Sequence, residues 1–122
     1  MSTRNLSLAQ HLAAGQLPMF MTAHEIMTHY QPHEEEFQNG EDESALWKRK
    51  LKESKTVGPK ETKSRYQRFK EEGVKNPIEI GFPAYLDRGE GAIYEGHHRV
   101  ASMVKIDPNK LLPVEYKNPN EY

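Results

Sequence analysis

Apolar positions recur along the chain with two periods, and each period predicts a kind of element. Leu8 and Leu12 lie four apart behind Ser7-Leu8-Ala9-Gln10, which has capping-box spacing, so a short helix is expected before Gly15. Leu17-Pro18-Met19-Phe20-Met21 reads as an extended segment. Thr22-Ala23-His24-Glu25 is a second capping box that opens a helical turn through Ile26 and Met27, and Pro32 ends anything helical. The stretch from His33 to Glu43, with Asn39-Gly40 inside it, reads as a mobile loop. Ser44 is placed to cap a helix with Trp47 and Leu51 on one face, which Gly58-Pro59 breaks. A further helix is expected from about Thr62, with Tyr66 and Phe69 three apart and Gly73 just past its end.

The second half changes period. Ile78-Glu79-Ile80-Gly81-Phe82 alternates as a strand, Leu86 to Gly91 supplies turn residues, and Ala92-Ile93-Tyr94 follows as the second strand of a hairpin. After Gly96 an amphipathic helix turns Val100, Met103 and Val104 inward, and Leu112-Pro113-Val114-Glu115-Tyr116 is a last strand before a polar tail. The expected fold class is α/β (α+β), a small mixed sheet with flanking helices. Its organisation is a helical extension over 1–16, a domain over 17–116 and a tail over 117–122. The domain contains the acidic loop 33–43 and a basic helical segment over 44–72.

Length and composition narrow the function classes. A chain of 122 residues holds one modest core, and a mean hydropathy of −0.91 leaves much of it solvated. It has no cysteine, which removes disulfide scaffolds, cysteine-based zinc sites and thiol nucleophiles. No apolar run approaches the roughly 18 residues of a membrane helix, and Met1 to Phe20 lacks the form of a signal peptide, so a cytoplasmic protein with no membrane partner is expected.

Charge is segregated although the net value is only −1. Glu34, Glu35, Glu36, Glu41, Asp42 and Glu43 form an acidic block without a basic residue. Between Lys48 and Lys70 lies more than half of the 17 lysines and arginines, against only Glu53 and Glu61. Such a pair of blocks marks either a phosphate-facing surface, nucleic acid included, or two segments that neutralise each other.

The chemistry concentrates at Glu95-Gly96-His97-His98-Arg99, where a strand runs directly into a helix. Glycine permits the tight turn and a close backbone approach, and the first N–H groups of the helix favour an anion. His98 and Arg99 add side-chain donors, Arg in bidentate form. Gly96, His97, His98 and Arg99 are therefore the candidate phosphate-binding residues. The bland alternative is a tight turn followed by ordinary polar residues of an exposed first turn. Against it stands the helix dipole, which disfavours consecutive cations at that end unless an anion compensates them.

Gly96-x-His98-Arg99 between strand and helix resembles the phosphate-binding turn of the ParB/sulfiredoxin superfamily. Phe69 to Ile80 resembles the helix, Gly, Pro-Ile and strand that precede the hairpin in ParB N-terminal domains, and Leu112 to Tyr116 resembles the strand after the motif helix. Glu25-Ile26 and Tyr30-Gln31-Pro32 are similar to the family's first box, with His33 where ParB proteins usually carry Arg. The resemblance spans roughly residues 17 to 116. It implies a ParB/sulfiredoxin-like fold. His97 stands where sulfiredoxins carry their catalytic Cys, so sulfinic-acid reduction is excluded. The chain is expected to be too short for a complete partitioning protein with its further domains. The Gly-His-His-Arg turn is most similar to that of the nucleotide-dependent free-serine kinases, in which the turn binds nucleotide phosphates and a first-box carboxylate acts as base. Short chains of this type also carry the label ParB-like nuclease.

The resemblance thus implies a nucleoside triphosphate, ATP or CTP, with Mg2+ as cofactor. Glu34, just after the first box, and Glu95 are the candidate bases or magnesium ligands, and His97 completes the candidate catalytic set. No transition-metal site is expected: His29 and His33 are four apart, but Pro32 between them breaks the shared helix face. Trp47, Tyr66 and Phe69 suit base stacking or a core, and their helical spacing favours the core. Three functions follow as expectations. The first is a nucleotide-binding NTPase or phosphotransferase. The second is a DNA- or RNA-binding protein or nuclease using Lys48 to Lys70. The third is a non-enzymatic phage or mobile-element interaction protein.

Overall fold

The computed structural model describes residues 19–81 and 92–117. The expected helix before Gly15, the hairpin turn through Leu86 to Gly91 and most of the polar tail lie outside the described residues. Within them the fold is the mixed α/β arrangement expected, with five strands and four helices. In chain order these are β1 (Phe20–Thr22), α1 (Ala23–His29), β2 (Gln31–Pro32), a 3-10 turn (Glu34–Glu36), α2 (Glu43–Lys55) and α3 (Arg65–Glu72). Then come β3 (Ile78–Gly81), β4 (Ala92–Glu95), α4 (His97–Ile106) and β5 (Leu111–Lys117).

Local chemistry sets most of the helix boundaries. The Thr22 hydroxyl accepts from the Glu25 N–H at 3.0 Å while the Glu25 carboxylate accepts from the Thr22 N–H at 2.9 Å, a complete capping box for α1. For α2 the cap is Asp42, two residues before the expected Ser44, with its carboxylate accepting from Ala45 N–H at 2.7 Å. A carboxylate at that end also complements the helix dipole, which a serine hydroxyl does not. Ser64 caps α3, and Gly73, at φ 78, donates back to the Phe69 carbonyl and ends it.

The sheet runs in the order β1-β5-β3-β4-β2. β1 is antiparallel to β5, β5 parallel to β3, β3 antiparallel to β4, and β4 parallel to β2. Alternation along the strands sends Met21, Ile78, Ile80, Ile93, Leu112 and Val114 into the core, where they meet Ile26, Leu46, Val100 and Met103 from the helices. Trp47 belongs to this core, and Phe69 packs against it. On the opposite sheet face Phe20 and Leu111 are about half exposed. α4 is the central helix, contacted by α1, α2 and α3 alike.

One irregularity lies beside the β4–α4 junction. The β3–β4 register shifts between Glu79, opposite Glu95, and Ile80, opposite Ile93. The extra residue on β4 is Tyr94, whose ring covers Gly81: a Cβ there would fall 2.1 Å from the ring. The kink carries the chain from β4 into Gly96.

Candidate functional site

Gly96 has φ 106 and ψ 17, a left-handed conformation that reverses the chain between β4 and α4. Glycine is required there twice over, because a Cβ would also sit 2.7 Å from Ile78 Cδ1 and 3.3 Å from an Arg99 nitrogen. Three of the helices, α1, α2 and α3, carry a side-chain cap; α4 has none. The N–H groups of His97, His98 and Arg99 therefore have no acceptor within their helix and no capping oxygen. They open on a cleft of about 510 Å³ between the turn and α3, lined by Arg65, Arg68, Phe69, Lys75, Asn76 and Arg99, with Glu36, Glu72 and Glu95 as its carboxylates.

The residues of the turn do different things. His97 is buried, so the reading of an exposed first turn does not apply to it. Its Nδ1 lies 3.2 Å from Glu36 Oε1, and its ring centroid is 6.0 Å from that of Trp47. Burial pushes the imidazole down to about 4, with the Glu36 charge opposing it. His98 turns the other way, its Nε2 donating to Glu53 Oε1 at 2.9 Å. Burial also lowers His98, the Glu53 hydrogen bond opposes that, and the Arg65 charge adds to it. Both histidines are therefore neutral at pH 7. The conflict with the helix dipole expected from three successive cations is absent, because only Arg99 is charged. Arg99 Nη1 donates to the Pro77 carbonyl at 2.9 Å, which fixes the segment bearing Lys75 and Asn76 against the turn.

Each histidine is held by a carboxylate that α2 in turn neutralises. Lys50 Nζ donates to Glu36 Oε1 at 2.9 Å, and Arg49 Nη1 donates to Glu53 Oε2 at 3.1 Å. Arg49 also binds Glu41 through Nε at 2.7 Å and the Glu36 carbonyl through Nη2 at 2.7 Å. Burial alone would raise the Glu36 carboxyl; the Lys50 ammonium outweighs it and holds the carboxyl below its usual range. The acidic stretch 33–43 is folded against α2 by these contacts. Internal neutralisation thus accounts for Arg49 and Lys50, while Lys48, Lys52 and Lys55 on the other face of α2 stay exposed.

Of the expected site residues, Gly96, His97, His98, Arg99 and Glu95 line one cleft. Glu34 does not. It is exposed on the 3-10 turn, and Glu36, two residues on, is the carboxylate that reaches the cleft. No local pattern distinguishes the three adjacent glutamates, since the 3-10 turn that aims them is capped by the His33 ring nitrogen, accepting from Glu35 N–H at 3.2 Å. Arg65, Lys75 and Glu53 were also missed. Glu53 left a signal: it is the one acid within 48–60 and stands four residues after Arg49. Among the described residues no group of three or more His, Asp or Glu could hold a metal ion, and no helix is long and apolar enough to cross a membrane.

No protein-family model, no curated protein and no solved structure matches this chain.

Proposed function

We propose that the chain is a cytoplasmic phosphate-binding domain, distantly related to the ParB/sulfiredoxin superfamily, whose Gly96–Arg99 turn takes the phosphates of a nucleoside triphosphate. The observation that carries the reading is the uncapped N-terminus of α4, entered through a left-handed glycine and open to a cleft with Arg65, Lys75 and Arg99 on its walls. Backbone N–H groups at a helix N-terminus, with the helix dipole behind them, are suited to an anion. A cleft of about 510 Å³ is within the usual range for small-molecule and cofactor sites. Glu72 and Glu95, on the cleft walls, would be available to a magnesium ion that arrives on the nucleotide and needs only one or two protein carboxylates. Phosphotransferase or NTPase activity at this site is the corresponding enzymatic proposal.

A thermal-shift panel of ATP, CTP, GTP, ADP and adenosine, each with magnesium, tests the reading. A specific ligand at 100 times its Kd adds about 2.7 kcal/mol to stability. Stabilisation by triphosphates and none by adenosine supports it; no shift with any nucleotide, or an equal shift with adenosine, rejects it.

A second reading, binding of nucleic acid, is favoured by one observation. Lys48, Lys52 and Lys55 stand at i, i+4 and i+7 along one exposed side of α2 and line a groove floored by Leu51. Lys55 also lies 4.9 Å from the centre of the Tyr66 ring. Binding through these lysines gives a log–log salt slope of about −0.9 per duplex phosphate neutralised. A gel-shift series across salt with no retarded species at any ionic strength removes this reading.

A further inference from the structure

We propose that the cleft contains a second anion locus, formed by Arg65 and Lys75, which makes its ligand a di- or triphosphate rather than a single phosphate group. The inference rests on the phosphate reading of the Gly96–Arg99 turn and adds the residues that measure the length of the ligand.

Arg65 opens α3 and Lys75 follows the Gly73 turn that ends it, so the two stand at opposite ends of a helix of about 12 Å. Both are exposed, and both line the cleft onto which α4 opens. The other cations of that cleft are engaged. Arg68 Nη2 binds Glu61 at 2.8 Å, and Arg99 Nη1 binds the Pro77 carbonyl at 2.9 Å. No carboxylate among the described residues pairs with Arg65 or Lys75. Two unpaired cations are thus held on the walls of one concavity, where each is free to meet an anion.

One further observation points to a ligand larger than one phosphate, and another to an unsatisfied polar atom buried beside the cleft. The cleft, at about 510 Å³, greatly exceeds what a single phosphate on the α4 N-terminus would fill. His97, with its side chain only 3% exposed, lines the same cleft and leaves Nε2 without a hydrogen-bond partner. Placement then follows from the donors. One phosphate takes the three N–H groups of the turn, and the phosphates beyond it extend toward the guanidinium of Arg65 and the ammonium of Lys75 on the cleft walls. Glu72 and Glu95 line the cleft too, so a free polyanion meets repulsion there that its magnesium complex escapes.

Isothermal titration of the full chain with orthophosphate, pyrophosphate and tripolyphosphate, each in the presence of magnesium, with and without the exposed-site variants Arg65→Ala and Lys75→Ala, tests the assignment. The expected result is affinity that rises along the series in the unaltered protein. Each variant then weakens tripolyphosphate about tenfold while orthophosphate changes less than about twofold. Equal affinity for all three ligands, or variants that leave tripolyphosphate unchanged or weaken orthophosphate just as much, overturns the second locus and leaves the turn itself standing. An unaltered protein that binds none of the three overturns both.

Discussion

Arg99 Nη1 and the Pro77 carbonyl, 2.9 Å apart, join the first turn of α4 to the segment that leads into β3. The residue with the best chemistry for a phosphate is therefore also a brace for one wall of the cleft. Arg99→Ala is expected to lose about 0.5–1.5 kcal/mol of stability, the net value of such a bond, and to weaken phosphate ligands by about 1.5–3 kcal/mol. Urea unfolding and titration calorimetry read the two effects separately. Stability loss with ligand affinity intact would make Arg99 a brace and nothing more.

Gly96→Ala is expected to cost about 1–3 kcal/mol, because φ 106 strains any residue with a Cβ and Ile78 Cδ1 occupies the space that Cβ needs. Gly40, also at positive φ, has nothing within 4 Å of its would-be Cβ, so Gly40→Ala isolates the backbone part of the cost. Chemical denaturation of the two variants should place Gly96→Ala below Gly40→Ala. The reverse order would mean that Ile78 moves aside freely.

Glu36 and Lys50 should respond unequally to removal. Lys50 is only 6% exposed, so Glu36→Ala strands its ammonium and is expected to cost about 2–3 kcal/mol. Lys50→Met keeps the apolar stem and removes the buried charge, with an expected cost below about 1 kcal/mol. Glu36 is one-third exposed, so water compensates the carboxylate that Lys50→Met leaves behind. Equal losses in a thermal or urea titration would contradict this.

Acid should destabilise the fold in a window that starts near neutrality. Folded His97 titrates at about 4 and an unfolded histidine near 6.5, so between those values only the unfolded chain takes up the proton. The contribution is complete above pH 6.5 and falls as pH drops, the loss reaching roughly 3 kcal/mol near pH 4. His98, lowered by burial, acts in the same direction. Glu36 and Glu53, both held below the usual carboxylate range, add losses below about pH 4.5. In His97→Gln the slope of stability against pH between 4.5 and 6.5 should flatten; an unchanged slope would assign the proton uptake elsewhere.

What could be read in the sequence was what local chemistry decides. The Thr22–Glu25 capping box, the Gly73 stop, the inward alternation of Ile78 and Ile80 and the Gly96 turn depend on residues within a few positions of each other, and all are present. The α2 boundary moved by two residues because Asp42 and Ser44 are both good caps and only the carboxylate also answers the dipole. The partners of the turn were not legible. Glu53 reaches His98 across 45 positions and Arg99 reaches Pro77 across 22, and no periodicity encodes such contacts. The histidines read as cations in the sequence because their burial, which makes them neutral, is created only by packing against α2.

The strand order has a consequence for how the chain must fold. β5 is the last described strand, yet it lies inside the sheet, between β1 and β3. A ribosome that has released everything up to Ile106 has made α4 and its turn, but β1 still lacks its neighbour and the parallel partner of β3 does not exist. Met21 and Ile78 then have no Leu112 or Val114 beside them, so closure of the core waits for Leu111–Lys117 to emerge. The cleft, whose walls depend on that core, becomes available only after β5 has emerged.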